Sequence, residues 1–141
     1  MNSLPAFSST LDSVVESVHS AEEIVRRFAL EAGFEESDRY FIGLAVREIV
    51  INAIKHGNRF DQNKKVGLRL STNGDDLIIE VTDQGDGFRI ESVPDPHLPE
   101  NRERESGRGI AIASAFMDEF SVDRNSPSGT YVRMAKRLPA R

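Results

Sequence analysis

The 141-residue sequence contains no cysteine. That excludes disulfides and thiolate metal sites, and it is compatible with a reducing cytoplasm. No apolar run approaches the roughly 20 residues that a membrane-spanning helix needs. The opening residues, MNSLPAFSSTLDS, offer neither a basic n-region nor an apolar h-region, so they do not read as a secretory signal. A surplus of positive charge is missing too: 18 Lys and Arg face 23 Asp and Glu, a formal net charge of −5. Such a balance argues against general nucleic-acid binding and against attachment to an anionic membrane. The P-loop motif is absent, as are the Gly-rich loop, HRD and DFG of eukaryotic-type kinases. The stretch DQGDG is no calcium loop, because Gly85 takes its third position and Pro94 its twelfth. There are no internal repeats and no linker. What is present, 38% hydrophobic and 29% charged residues, suits one domain with a real core. The expectation is a single cytoplasmic domain over residues 1–141.

Periodicity divides the chain into elements. LPAFSS (4–9) reads as a short edge strand limited by Pro5. From Leu11 the apolar residues fall at helical spacing up to Gly33, a C-cap, and Ser20 with Glu23 resembles a capping box. That region is therefore either a strand followed by a helix or one long helix. A second helix starts after EES (35–37), with Ser37 or Asp38 as N-cap, and runs to Gly57. VGLRLS (66–71), the turn NGDD and LIIEVTD (77–83) form a hairpin. The proline-rich, charged stretch VPDPHLPENRERES (93–106) reads as a long loop, and loops of that length in a compact domain usually serve function. SGRG (106–109) precedes a helix over GRGIAIASAFMDEF (107–120); SVDR and TYVRMAK then flank NSPSG as a closing hairpin. The expected class is α+β, a two-layer sandwich with a mostly antiparallel sheet covered on one face by about three helices.

Two features carry chemistry. The second helix is apolar nearly all round, yet Glu48, Asn52, Lys55 and His56 interrupt it on one stripe roughly 100° wide. A carboxylate there suits proton abstraction, an amide oxygen suits magnesium, and a lysine reaches phosphate. On its own the stripe equally suits a solvated face joined by weak helix pairs. The glycines of DQGDG and SGRG are the second feature. They let backbone approach a ligand, and a helix N-terminus offers N–H groups to phosphate, although a tight turn explains two glycines equally well. His19 and His97 read as solvated.

Taken together, ExxxNxxxHG on a helix, DxGxG after a strand, a long loop, a GxG helix start and a last strand opening with GT resemble the GHKL ATPase superfamily. The likeness runs from about Val15 to Leu138. REIVINAIKHGN, DQGDGF, PENRERESGRGI and AFMDEF most resemble its bacterial anti-sigma-factor serine/threonine kinases. The resemblance implies the Bergerat ATP-binding fold, with ATP and Mg²⁺ as cofactors. It makes Glu48 the general base and Asn52 the Mg²⁺ ligand, and it sets Lys55 and His56 near the phosphates. Asp83 becomes the acceptor for the adenine amino group, with Gly85 and Gly87 giving the base room. Residues 88–106 become the ATP lid, Gly107, Arg108, Gly109 and Ile110 its hinge and phosphate-facing helix start, and Thr130 a support at the adenine end. The implied partners are a sigma factor and a STAS-type anti-sigma-factor antagonist, whose serine is phosphorylated; a homodimer is also implied. Two other readings are a nucleotide-gated binding module that transfers no phosphate and, less favoured, the catalytic part of a histidine kinase, which would need a phospho-acceptor helix pair.

Overall fold

The computed structural model describes residues 4–85, 105–126 and 129–140. Expectations that fall on 86–104, including Gly87 and nearly all of the proposed lid, lie outside the described residues. Five strands form one fully antiparallel sheet: β1 (Phe7–Asp12), β2 (Lys65–Thr72), β3 (Asp76–Thr82), β4 (Glu119–Ser126) and β5 (Gly129–Arg137), in the order β1-β2-β3-β5-β4. Period-2 patterning sets its two faces. Val66, Leu68, Leu70, Leu77, Ile79, Val81, Val132 and Met134 are buried on one side. Register aligns them, with Leu70 opposite Ile79 and Ile79 opposite Met134. The other side carries Arg69 and Glu80 and the Tyr131 hydroxyl, which donates to Glu80 Oε1 at 2.8 Å. A one-residue slip would put these charges into the core, so the register is strongly specified.

Three helices cover the apolar face: α1 (Glu16–Glu31), α2 (Glu36–Asn52) and α3 (Glu105–Phe116), with α2 in the middle. The central position explains why α2 is apolar nearly all round. Gly43 is buried there and leaves room for Arg26 of α1. Of the two alternatives for the N-terminal region, the structure has the strand followed by the helix. β1 runs to Asp12, further than residues 4–9, and Leu11 points into the core. Ser20 and Glu23 are not a cap: α1 starts at Glu16, and the Ser20 hydroxyl donates to Glu16 O at 3.3 Å inside the helix. The C-cap expectation is met. Gly33 has φ +97°, its N–H reaches Leu30 O at 3.0 Å, and Phe34 N–H reaches Ala29 O at 3.1 Å, the two bonds of a Schellman motif.

α2 begins at Glu36 with Glu35 as N-cap, earlier than the Ser37 or Asp38 expected, and without a side-chain cap. Glu36 and Asp38 in its first turn complement the positive end of the helix dipole, which makes a side-chain cap dispensable. α3 ends at Phe116 and does not reach residue 120. The Asp118 N–H bonds to Ala135 O at 2.9 Å, so the chain joins the sheet there. At its other end α3 already includes SGRG, which therefore makes the first turns and does not precede the helix. Among the described residues no helix is long and apolar enough to cross a membrane.

Candidate functional site

The candidate residues gather where the C-terminal end of α2 meets the end of β3 and the start of β5. Asp83, the first residue past β3, is 3% exposed. Its backbone N–H donates to Thr130 O at 3.0 Å, extending the β3–β5 ladder by one bond. Its Oδ1 accepts the N–H groups of Gly85 and Thr130 at 3.0 and 3.1 Å. Burial pushes the carboxyl above the ordinary value of 3.8, while those two N–H groups and the charge of Lys64 pull it back. A buried carboxylate with both of these bonds on one oxygen retains acceptor capacity for an N–H donor.

Three glycines close around this carboxylate. A Cβ at Gly57 would overlap the Asp83 side chain, one at Gly85 would overlap the carbonyl of Gly57, and one at Gly129 would overlap the Asp83 backbone. Gly129 also has φ +137°, a conformation that favours glycine. The sequence alone gives Gly57 and Gly129 no role. Their signal was sequence adjacency, Gly57 to His56 and Gly129 to Thr130.

Asn52 and Thr130 are each 2% exposed. Among the described residues, Asn52 Nδ2 and Thr130 Oγ1 have no hydrogen-bond partner. A buried polar group without a partner costs about 1–3 kcal/mol, so both are groups that a ligand would satisfy. Glu48, one turn before Asn52, is half-buried. Ile110, in α3, is half-buried as well; Gly107, Arg108 and Gly109 lie in the same helix, and only their backbone is described.

Lys55 stands apart from this group. Past Asn52 the helix widens into a π-helical turn, Ala53–Gly57, in which Asn58 N–H bonds back to Ala53 O at 2.8 Å. A π turn advances each residue by less than 100°. Lys55 consequently falls on the row of Arg47 and Ile51, where it lines a groove of about 180 Å³ with Val15, Val18, His19, Ile54 and Phe60. Of the four stripe residues, Glu48 and Asn52 stay together and Lys55 turns away. The same rotation keeps His56, half-buried, in line with Glu48 and Asn52. Burial, followed by the nearby Lys55 charge, lowers its pKa below 6.5, which favours neutral imidazole.

Comparison with known proteins gives the family and the fold. Residues 8–136 match the model of the histidine kinase-like ATPase domain. An anti-sigma F factor of Clostridium perfringens is 35% identical over 99 residues, covering 69% of this chain and 71% of that protein. A serine-protein kinase RsbW of Bacillus licheniformis is 33% identical over 116 residues, covering 78% and 71%. The crystal structure of the RsbU and RsbW domains of a Mycobacterium tuberculosis protein superposes with a TM-score of 0.65 at 25% identity. It covers 98% of this chain, which spans only 34% of that larger one. The chain belongs to the histidine kinase-like ATPase domain family, a family of ATP-binding domains.

Proposed function

We propose that this protein is an ATP-dependent serine/threonine kinase that acts as an anti-sigma factor, holding a sigma factor and phosphorylating a serine of an antagonist protein. Relatives named anti-sigma F factor and serine-protein kinase RsbW support the reading. The observation that carries it is the coincidence in one place of a buried acceptor, Asp83, with two buried groups that lack partners among the described residues, the Asn52 amide nitrogen and the Thr130 hydroxyl.

ATP bound with Mg²⁺ supplies a γ-phosphoryl group for transfer. Asp83 accepts a hydrogen bond from the adenine amino group, and Thr130 supports the same end through its hydroxyl. The three glycines, which have no room for a Cβ, would let a base approach the backbone at the end of β3. Asn52 offers its amide oxygen to the metal, in keeping with magnesium's preference for oxygen ligands. Glu48 takes the proton of the attacking serine hydroxyl, a role that suits a half-buried carboxylate one turn from the metal-binding amide. Phosphate on the antagonist then adds about two negative charges at the contact and ends its binding.

The test is transfer of label from ATP, with Mg²⁺, to candidate antagonists, comparing wild type with Glu48→Gln. Wild type is expected to label a serine, and Glu48→Gln to bind ATP with transfer reduced by roughly 10²–10⁴. A wild type that binds ATP yet labels no antagonist would falsify the kinase and leave a nucleotide-gated anti-sigma module.

A further inference from the structure

Asn58 follows the π turn and was given no role by the sequence. It is 1% exposed, and its amide joins three segments that are distant in the chain. Its Nδ2 donates to Ser13 Oγ at 2.9 Å, in the corner between β1 and α1, and to Lys65 O at 3.0 Å, at the start of β2. Its Oδ1 accepts the backbone N–H of Gln84 at 2.8 Å. The outer parts of the network are closed as well. The Ser13 hydroxyl donates to Lys64 O at 2.5 Å, and Lys65 N–H donates to Gln84 Oε1 at 2.5 Å.

Gln84 stands between the two residues that shape the base pocket. Asp83 precedes it. Gly85 follows it and orients the Asp83 carboxylate through its N–H at 3.0 Å. The bond from Gln84 to Asn58 therefore fixes the height of Gly85 N–H, and with it the direction in which the carboxylate offers its acceptor. Asn58 reaches neither Asn52 nor Glu48 through a described hydrogen bond.

We propose that Asn58 is a positioning residue for nucleobase selection. By clamping Gln84 it holds the Asp83 carboxylate where it accepts from a 6-amino purine and rejects a 6-oxo purine, whose O6 would set an acceptor against the carboxylate. This deepens the proposed function and rests on its assignment of Asp83 to the adenine amino group. A buried site built to accept one donor discriminates strongly against an analogue that lacks it.

Equilibrium titration of ATP and of inosine triphosphate, both with Mg²⁺, tests the idea on wild type, Asn58→Ala and Ser13→Ala, with a melting curve for each. Wild type is expected to prefer ATP. Asn58→Ala is expected to lose roughly tenfold in ATP affinity, with inosine triphosphate changed by less than about twofold, so that the preference collapses. Ser13→Ala, which removes the far end of the network, is expected to melt lower and keep the preference. Should Asn58→Ala not fold, Asn58→Asp keeps the acceptor for Gln84 N–H and is expected to retain the preference; its loss there counts against the proposal. If Asn58→Ala weakens both nucleotides equally, or neither, the residue is merely structural and the proposal is overturned. A wild type that binds the two nucleotides equally overturns the Asp83 assignment itself, together with any selection by Asn58.

Discussion

Gly57→Ala sets two physical effects of opposite sign against each other. In a helical turn this change ordinarily stabilises by up to ~1 kcal/mol, because alanine has less backbone freedom to lose. Here the new methyl meets the Asp83 carboxylate. That group has nowhere to go, being 3% exposed and held through Oδ1 by Gly85 and Thr130 at 3.0 and 3.1 Å. Turning it aside breaks two hydrogen bonds to a charged acceptor, worth about 1.5–3 kcal/mol each. Shifting the Gly57 backbone presses its carbonyl toward Gly85, and overpacking of that kind costs about 1–3 kcal/mol. Taking about 3 kcal/mol lost against about 1 gained, Gly57→Ala should destabilise by ~2 kcal/mol and lower the melting temperature by roughly 4–8 °C. Affinity for ATP should fall at least about tenfold as the acceptor turns away. Circular-dichroism melting combined with calorimetric titration of ATP reads both effects. A Gly57→Ala protein as stable as wild type, with unaltered ATP affinity, would refute the reasoning. Gly43→Ala is the matched control. Its methyl meets Arg26, whose side chain is 38% exposed and can swing outward. What is lost there is the pair with Glu22, worth about 0–1 kcal/mol, and the contact over the Tyr40 ring, worth about 0.5–1 kcal/mol; against alanine's gain of up to ~1 kcal/mol, the net change should stay within about 1 kcal/mol.

Ile79→Ala, at a fully buried position between Leu70 and Met134, should cost about 2–5 kcal/mol in urea unfolding; a loss under ~1 kcal/mol would contradict the core described above. His56 has a folded-state pKa below 6.5, so the unfolded chain takes up its proton first as pH falls. Its contribution is complete above pH 6.5 and is lost as pH drops through the lower folded value. His56→Gln should flatten the decline in melting temperature over that window, and equal slopes for the two proteins would show that His56 is not responsible.

Strand and helix periodicity were legible because burial enforces them. Leu68 and Leu70 flank Arg69, Ile79 and Val81 flank Glu80, and a one-residue slip would take both charges out of water. Boundaries were less legible, since neighbours settle them. Leu11 fits the helical spacing of residues 14–32 but is claimed by the strand pairing that sets it opposite Val66. Met117 and Phe120 continue the apolar residues of α3 in sequence, but the bond from Asp118 N–H to Ala135 O takes the chain into the sheet. In the site, Asp83 and Asn52 stood out as polar residues beside apolar runs. Lys55 sits off the stripe drawn at 100° per residue, because nothing local in AIKHG announces the π turn. Asn58 was missed for another reason: its three partners, Ser13, Lys65 and Gln84, are brought together only by the fold.

The adjacency of β3 and β5 has a consequence for how the family can vary. Asp83 and Thr130 lie 47 residues apart in sequence and hydrogen-bond directly, and among the described residues the chain between them forms α3 and then β4, the edge strand that hands over to β5. Because the ladder pins the point of departure beside the point of return, lengthening the chain between them adds only loop-closure entropy, about 0.6 kcal/mol for each doubling. Segments inserted between Gly85 and α3 can therefore change in length and composition with little penalty to the sheet. The Asp83 carboxylate stays in place while the length of that segment is left open to diversification.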